Sequence, residues 1–305
     1  MKKIQKALVF ALVSLLMCGS LRAQSAIEFP LSLRQGHYYF TAVVASDSVE
    51  IMLDSGIPAL LVSEDFYQKH KADFAIDFVD SKANIRLMND IYPILFKGEG
   101  VIAIGCALYD GPVYILGDYE GLVLAVQYLK HPADNSQLIG IDLPGQRLTV
   151  MMGSDDRTKG VERYQMKRDK ESGFPLLHTK FKINTPDGEA TLKGDLVVDF
   201  GNPLLLFLNG NHRSLQKAVK KGLQLQDAMN PAGQVVAKGL YANSVQLAGR
   251  EFGDMSIGVD IHKHNIKQLG YLGVRFFDRP VVLDFVRMQL IIPSTDESAE
   301  SPTTD

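Results

Sequence analysis

The chain has 305 residues, of which 46% are hydrophobic and 22% are charged, so it has enough apolar material for one large core or two moderate ones. Its formal net charge is −3, and the sequence contains no block of basic residues. This charge distribution argues against nucleic acid or an anionic membrane surface as a partner.

The first 23 residues have the pattern of a secretory signal peptide. Three lysines precede the apolar stretch Ala7 to Met17, and Ala23 offers a small residue at a cleavage position. The apolar stretch is shorter than the roughly 20 residues that a membrane-spanning helix needs. Cys18 raises the alternative of a lipid anchor, but Met17 stands before it, where lipoprotein processing usually requires a small side chain. We therefore expect export after cleavage near Ala23, to the periplasm or out of the cell, with no membrane span.

Most of the mature sequence predicts short β-strands. The candidate segments are rich in Val, Ile, Leu, Tyr and Phe and are separated by Gly, Pro, Asp and Asn; examples are His37 to Val44, Val101 to Ala107 and Leu192 to Val198. Helical signals are few, and the two candidates are Asn211 to Gly222 and Ser63 to Lys71. The chain is therefore expected to be mainly β with few short helices.

A long-period repeat divides the sequence into two copies of one module. Residues 52–61 (MLDSGIPALL) recur as residues 197–206 (VVDFGNPLLL), and residues 124–132 (LAVQYLKHP) are matched by residues 272–280 (LGVRFFDRP). The offsets are 145 and 148 positions, and the landmarks occur in the same order in both copies. A third pair, Ile141-Asp142-Leu143 with Leu283-Asp284-Phe285, follows at an offset of 142.

The repeat predicts the domain boundaries. We expect an N-terminal lobe over residues 24–152, a polar connecting segment over 153–173 and a C-terminal lobe over 174–293. Residues 294–305 are rich in Ser, Thr, Asp, Glu and Pro, which predicts a disordered acidic tail.

Each copy places an aspartate directly after an apolar strand and two positions before a glycine. These are Asp54-Ser55-Gly56 and Asp199-Phe200-Gly201. One such motif alone is most often an ordinary Asx turn. Two copies packed about a local two-fold axis, however, would bring both carboxylates into one site, where they would share a proton. One carboxylate could then activate a water as general base while the other polarises a substrate carbonyl, with no metal or cofactor.

The sequence resembles the aspartic peptidases of the pepsin and retropepsin type, in particular two-lobed, exported bacterial relatives. The resemblance covers residues 28–293 and depends on the two Asp-x-Gly motifs. A downstream apolar-apolar-Gly element, Tyr271-Leu272-Gly273, reinforces it, and Leu124-Ala125 stands in for that element in the first copy. The resemblance implies two similar pepsin-like β lobes with an interlobe cleft.

The resemblance also assigns roles to individual residues. It implies that Asp54 and Asp199 are the catalytic pair, that Gly56 and Gly201 donate backbone hydrogen bonds to them, and that the Ser55 hydroxyl ties the two aspartate loops together. It further implies a β-hairpin flap over the cleft, for which residues 84–95 are the candidate segment and Tyr92 the candidate flap aromatic.

One departure from the family pattern leaves two functions open. Phe200 stands where the family normally has Thr or Ser, so the second lobe lacks one of the two hydroxyls that brace the pair. The first hypothesis is an aspartic-type endopeptidase that cleaves a peptide or protein substrate and acts as a monomer. The alternative is a catalytically impaired relative that binds peptide or glycan in the same cleft. His262-Lys263-His264 resembles a metal pair, but it has no evident third ligand and favours a solvated loop.

Overall fold

The structure is a computed structural model that describes residues 25–87, 90–153, 162–229, 235–261 and 267–293. This part of the chain is mainly β, as predicted, and it divides into two units. The first unit contains the described residues up to Tyr164 together with those from Asp278 onwards. The second unit runs from Gln165 to Phe277.

The strands are numbered in chain order through both units. They are β1 (Ala26–Pro30), β2 (Ser32–Arg34), β3 (His37–Val44), β4 (Asp47–Asp54), β5 (Leu60–Ser63), β6 (Val79–Asp80), β7 (Asn84–Leu87), β8 (Asp90–Ile104), β9 (Ala107–Leu116), β10 (Leu122–Ala125), β11 (Leu129–Lys130), β12 (Leu138–Asp142), β13 (Arg147–Met151), β14 (Glu162–Arg168), β15 (Pro175–Thr185), β16 (Gly188–Val198), β17 (Leu206–Asn209), β18 (Gln226–Met229), β19 (Val235–Ala242), β20 (Ser244–Leu247), β21 (Arg250–Phe252), β22 (Met255–Asp260), β23 (Gly270–Leu272), β24 (Val281–Asp284) and β25 (Gln289–Ile292). The helical elements of the described ranges are α1 (Glu64–His70), α2 (Arg213–Lys220) and two 3₁₀ turns, Val126–Tyr128 and Val274–Phe276.

Each α-helix begins at a side chain that accepts a hydrogen bond from one of the free N–H groups of the first turn. Ser63 Oγ accepts from the Phe66 N–H at the start of α1, at 3.4 Å. His212 Nδ1 accepts from the Ser214 N–H at the start of α2, at 3.2 Å. Both helices predicted from the sequence are thus confirmed, with ends that agree to within two residues.

The first unit is built on a sheet with the strand order β2-β3-β4-β10-β5-β9-β8-β6. Every residue of β5 and of β10 is buried, so the middle of the sheet is covered on both faces. Strands buried on both faces are continuous apolar runs, and β10, with the sequence Leu-Val-Leu-Ala, is one of them. The same unit contains the antiparallel succession β1-β13-β12-β24-β25.

The second unit has the strand order β14-β15-β16-β23-β17-β22-β19-β18, with β20 paired to β15 and to β21. The end of β16, from Leu196 to Val198, is buried, as are both ends of β23. The long hairpin of β15 and β16 pairs from Leu176 with Val197 to Thr185 with Gly188. The aspartate of this unit therefore follows a strand that is fixed on both sides.

The two units repeat one set of strand pairings. In the first, β4 runs parallel to β10, which is antiparallel to β5, which is parallel to β9. In the second, β16 runs parallel to β23, which is antiparallel to β17, which is parallel to β22. Leu53 pairs with Leu124, and Val198 pairs with Leu272. These are the residues that the repeat aligns, so the two sequence landmarks coincide with equivalent positions in the sheets.

The third landmark of the repeat forms two like hairpins within the first unit, β12 with β13 and β24 with β25. Strands β12 and β24 pair antiparallel, with Gly140 opposite Val282, its equivalent in the repeat. In each hairpin the strand ends in an aspartate, Asp142 or Asp284, whose Oδ1 accepts the N–H three residues further on at 2.8 Å. A local two-fold axis through the Gly140–Val282 pair therefore relates these hairpins.

The structure differs from the sequence predictions in three places. Strand β14 lies within residues 153–173, where the sequence indicated a connecting segment. Strands β24 and β25 belong to the first unit, although they follow the second copy of the repeat. The apolar run Val101 to Ala107, predicted as one strand, contains the turn between β8 and β9, where Gly105 has φ +57°. Within the described ranges, no helix is long and apolar enough to cross a membrane.

Candidate active site

The first half-site lies at the end of β4, where the strand ends in Asp54. Strand β10 pairs with β4 in parallel, with Ala125 opposite Asp54, so the aspartate is fixed by a central strand rather than by a loop. The side chain is buried, and its Oδ1 accepts a hydrogen bond from the Gly56 N–H at 2.6 Å. Ser55, between them, is fully buried. The arrangement is an Asx turn whose carboxylate is held in one orientation.

Tyr119 of the first unit interacts electrostatically with Asp54 and contacts Tyr92. Tyr92, the predicted flap aromatic, lies on β8 in the hairpin with β7 and pairs with Ile85. Its ring packs edge-on against Tyr119, with ring centroids 5.2 Å apart. Burial raises the pKa of Tyr119 above its ordinary value, and the nearby Tyr39, Tyr92 and Asp54 raise it further. Tyr119 therefore keeps its proton at physiological pH and brings a neutral hydroxyl into electrostatic range of Asp54.

The second half-site lies directly after β16. The Asp199 N–H donates to the Leu272 carbonyl of β23 at 2.9 Å, which extends the strand pairing up to the aspartate. Asp199 Oδ1 accepts a hydrogen bond from the Gly201 N–H at 2.9 Å, which is the contact that Gly56 makes with Asp54 in the first unit. The Asn202 N–H donates to the Asp199 carbonyl at 3.3 Å and closes the turn. The two aspartates thus have the same local geometry in the two units.

Phe200 does not extend to solvent. Its side chain is fully buried, and its ring packs on Phe277 with centroids 4.6 Å apart. Phe277 in turn packs edge-on against Phe276, at 5.2 Å. The Arg250 guanidinium covers the Phe276 ring at 5.0 Å and donates to the Phe276 carbonyl at 2.7 Å. The aromatic ring in place of a hydroxyl is therefore part of the core of its own unit, and it fixes the Asp199 turn by packing.

The two aspartate turns are supported at an equivalent carbonyl by different donors. In the second unit the Val274 N–H donates to the Asn202 carbonyl at 2.9 Å. A Cβ on Gly273 would collide with this carbonyl and with that of Leu204, so the absence of a side chain permits the close approach. In the first unit the corresponding carbonyl belongs to Ile57, and the side-chain Nε2 of Gln127 donates to it at 2.9 Å.

The sequence predicted the location of both aspartates but missed two of their neighbours. Tyr119 precedes β10 by three positions, and its electrostatic interaction with Asp54 links residues 65 positions apart in the sequence. Gln127 is aligned in the repeat with the exposed Arg275, so comparison of the two copies did not indicate a role for Gln127. No group of three or more metal-ligating side chains occurs in the described ranges. The pair His262 and His264 lies outside them.

Comparison with known proteins identifies the fold. No family model matches the sequence, and no curated protein is significantly similar to it. Among solved structures, the aspartic proteinase from Irpex lacteus aligns with a TM-score of 0.53 at 10% sequence identity, over 90% of this chain and 99% of its own. Basic 7S globulin from soybean aligns with a TM-score of 0.48 at 12% identity, over 88% of this chain and 94% of its own. On the first of these likenesses, the chain has a pepsin-like fold built from two β lobes.

Proposed function

We propose that the chain is an aspartic-type endopeptidase in which Asp54 and Asp199 together activate a water molecule. The observation that carries the proposal is the equivalence of the two half-sites. Asp54 ends β4 and Asp199 directly follows β16, in both cases at the buried end of the strand, and each Oδ1 accepts the N–H of the glycine two residues further on. A pepsin-like fold, supported by the likeness to a fungal aspartic proteinase, is a scaffold on which such a pair can work.

The proposed chemistry needs two carboxyl groups that share one proton. The ionised member removes a proton from the water as the water attacks the peptide carbonyl, and the protonated member donates to the carbonyl oxygen. The carboxyl that took the proton from the water then delivers it to the leaving nitrogen as the C–N bond of the tetrahedral intermediate breaks. The other carboxylate takes back the proton from the intermediate's hydroxyl, which yields the carboxylic acid product and restores the shared proton. The Gly56 and Gly201 N–H groups each fix one oxygen of a carboxyl, so each carboxyl is held in one orientation.

A second candidate function is peptide or glycan binding without hydrolysis. The observation that favours it is the burial of Phe200 against Phe277, since the residue directly after Asp199 is then a packed ring and not a hydroxyl that could brace the pair. Against it stands the turn around Asp199, which has the same hydrogen bond as the turn around Asp54. We therefore favour the peptidase. Export after Ala23 and a monomeric state are part of the same proposal.

The test is cleavage of a mixed peptide library by the purified chain between about pH 3 and pH 7. We expect a bell-shaped dependence of kcat/KM on pH, because activity requires one protonated and one ionised carboxyl. Asp54→Asn and Asp199→Asn should each lose activity by at least about a hundredfold, because an amide can still accept the glycine N–H but cannot exchange a proton.

The matched control is Asp142→Asn, which changes an aspartate that also accepts a turn N–H but lies outside both half-sites. This variant should cleave the library at the wild-type rate. Binding of library peptides with no cleavage at any pH, unaltered by either site substitution, would favour the second candidate function.

A further inference from the structure

The first unit contains a buried glutamine that has no counterpart in the second. Gln127 is fully buried in the 3₁₀ turn after β10. Its side-chain Nε2 donates a hydrogen bond to the Ile57 carbonyl at 2.9 Å, and its backbone carbonyl accepts one from Gln137 Nε2 at 3.2 Å. The Ile57 carbonyl can only accept a hydrogen bond, so the orientation of the Gln127 amide is fixed. Its Oε1 has no hydrogen-bond partner in the described part of the chain.

A buried amide with an unpaired oxygen destabilises a core, and an apolar side chain of the same length would avoid that cost. Packing alone therefore does not account for glutamine at this position. The hydrogen bond to Ile57 accounts for the glutamine, because Ile57 directly follows Gly56, the residue whose N–H holds the Asp54 carboxylate.

Comparison of the two units explains why a side chain makes this bond. In the second unit the equivalent bond comes from the Val274 N–H, and it depends on the close approach that Gly273 permits. The first unit has Ala125 at the aligned position, and a residue with a Cβ cannot approach the turn as closely as Gly273 does. Among the described residues the bond from Gln127 Nε2 takes the place of the backbone bond.

We infer that Gln127 is a positioning residue for Asp54: its side-chain amide supplies the support that a backbone amide supplies to Asp199. This inference rests on the proposed function for its effect on catalysis, but not for its effect on the Asp54 turn. Gln127 does not touch the carboxylate and acts through Ile57 and Gly56.

Two variants and one control test the inference. Gln127→Met keeps the length of the side chain and removes the donor. Gln127→Glu keeps a donor only while the introduced carboxyl is protonated, and burial raises the pKa of such a group. Arg275→Met alters the equivalent but exposed residue of the second unit. The two readouts are kcat and KM as functions of pH, and the hydrogen-exchange protection factor of the Gly56 amide by NMR.

For Gln127→Met we expect kcat to fall by about tenfold to a hundredfold with KM changed less than about twofold, since a small displacement of a reacting group has effects of this size. The protection factor of Gly56 should fall at least about tenfold. In Gln127→Glu the protection should be near that of the wild type at low pH and should fall as the carboxyl ionises, whereas Arg275→Met should change neither readout.

Wild-type Gly56 protection in a folded Gln127→Met variant, or a Gln127→Glu variant whose protection does not change with pH, would overturn the inference. If Gln127→Met does not fold, the pH dependence of Gln127→Glu decides. If the wild-type chain cleaves no peptide, the proposed function fails, but the protection of Gly56 still shows whether Gln127 positions the Asp54 turn.

Discussion

Replacing Phe200 by the hydroxyl residue typical of aspartic peptidases should destabilise the chain rather than activate it. The ring is fully buried and packs on Phe277 at 4.6 Å. Removing a buried phenylalanine ring costs about 3–5 kcal/mol, because apolar contacts are lost and a cavity remains. In Phe200→Thr the hydroxyl is also buried in an aromatic environment, which adds about 1–3 kcal/mol unless it finds a partner. The total is a large part of the roughly 5–15 kcal/mol that stabilises an ordinary domain.

The measurement is urea-induced unfolding followed by circular dichroism, since the chain has no tryptophan to report by fluorescence. Met229→Thr is the matched control, because Met229 lies in the same unit and is 63% exposed; it should change the unfolding free energy by no more than about 0.5 kcal/mol. Phe200→Leu keeps an apolar side chain and should fall between the two. If Phe200→Thr unfolds within about 1 kcal/mol of the wild type and cleaves peptides faster, the ring does not support the Asp199 turn by packing, and our reasoning is wrong.

Two further substitutions test the supports of the fold. Gly273→Ala should destabilise the chain by about 2 kcal/mol or more, because the new methyl group meets two backbone carbonyl oxygens. The control is Gly253→Ala, which should have little effect because there is open space around Gly253. Equal decreases in the thermal midpoint of the two variants would contradict the argument. Hydrogen bonds from Lys69, and then from His70, lower the pKa of Asp47 below its ordinary value of 3.8. A carboxyl whose pKa is lowered by folding stabilises the folded state at a pH above its unfolded-state pKa, and this stabilisation is lost as the pH falls through the folded-state pKa. The thermal midpoint of the wild type should therefore exceed that of Asp47→Asn most near pH 6, and by progressively less below about pH 4. A difference that stays constant from pH 6 to pH 3 would show that ionisation of Asp47 is not its source.

The sequence predicted those features of the fold that both copies of the module share. Three apolar residues precede Asp54 and three precede Asp199, and a fixed offset relates them. Register in a buried sheet depends on such patterns, because a shift of one residue would turn apolar side chains to the wrong face. Equivalent sequences therefore gave equivalent pairings, as with Leu53 and Leu124 in one unit and Val198 and Leu272 in the other.

The features that the sequence did not predict are those in which the copies differ or in which distant strands meet. Strands β24 and β25 follow the second copy of the repeat but belong to the first unit, because β24 pairs with β12. No local pattern encodes that pairing, which joins residues about 140 positions apart. Gln127 was missed for another reason: its partner, Ile57, is 70 positions away, and the aligned position in the second copy is the exposed Arg275.

The two aspartate turns are alike in geometry but differ in what maintains it. Around Asp54, the tie is a hydrogen bond from the buried side chain of Gln127, which depends on a donor at one position and little on the volume around it. Around Asp199, the ties are a backbone hydrogen bond at a glycine and the packing of Phe200, which depend on volume and not on the identity of any polar side chain. A catalytic pair needs both turns in place at once, so the activity we propose should be sensitive to loss of a polar group in one unit and to loss of volume in the other. The two turns thus keep the same hydrogen bond from glycine to aspartate although their supports differ in chemistry.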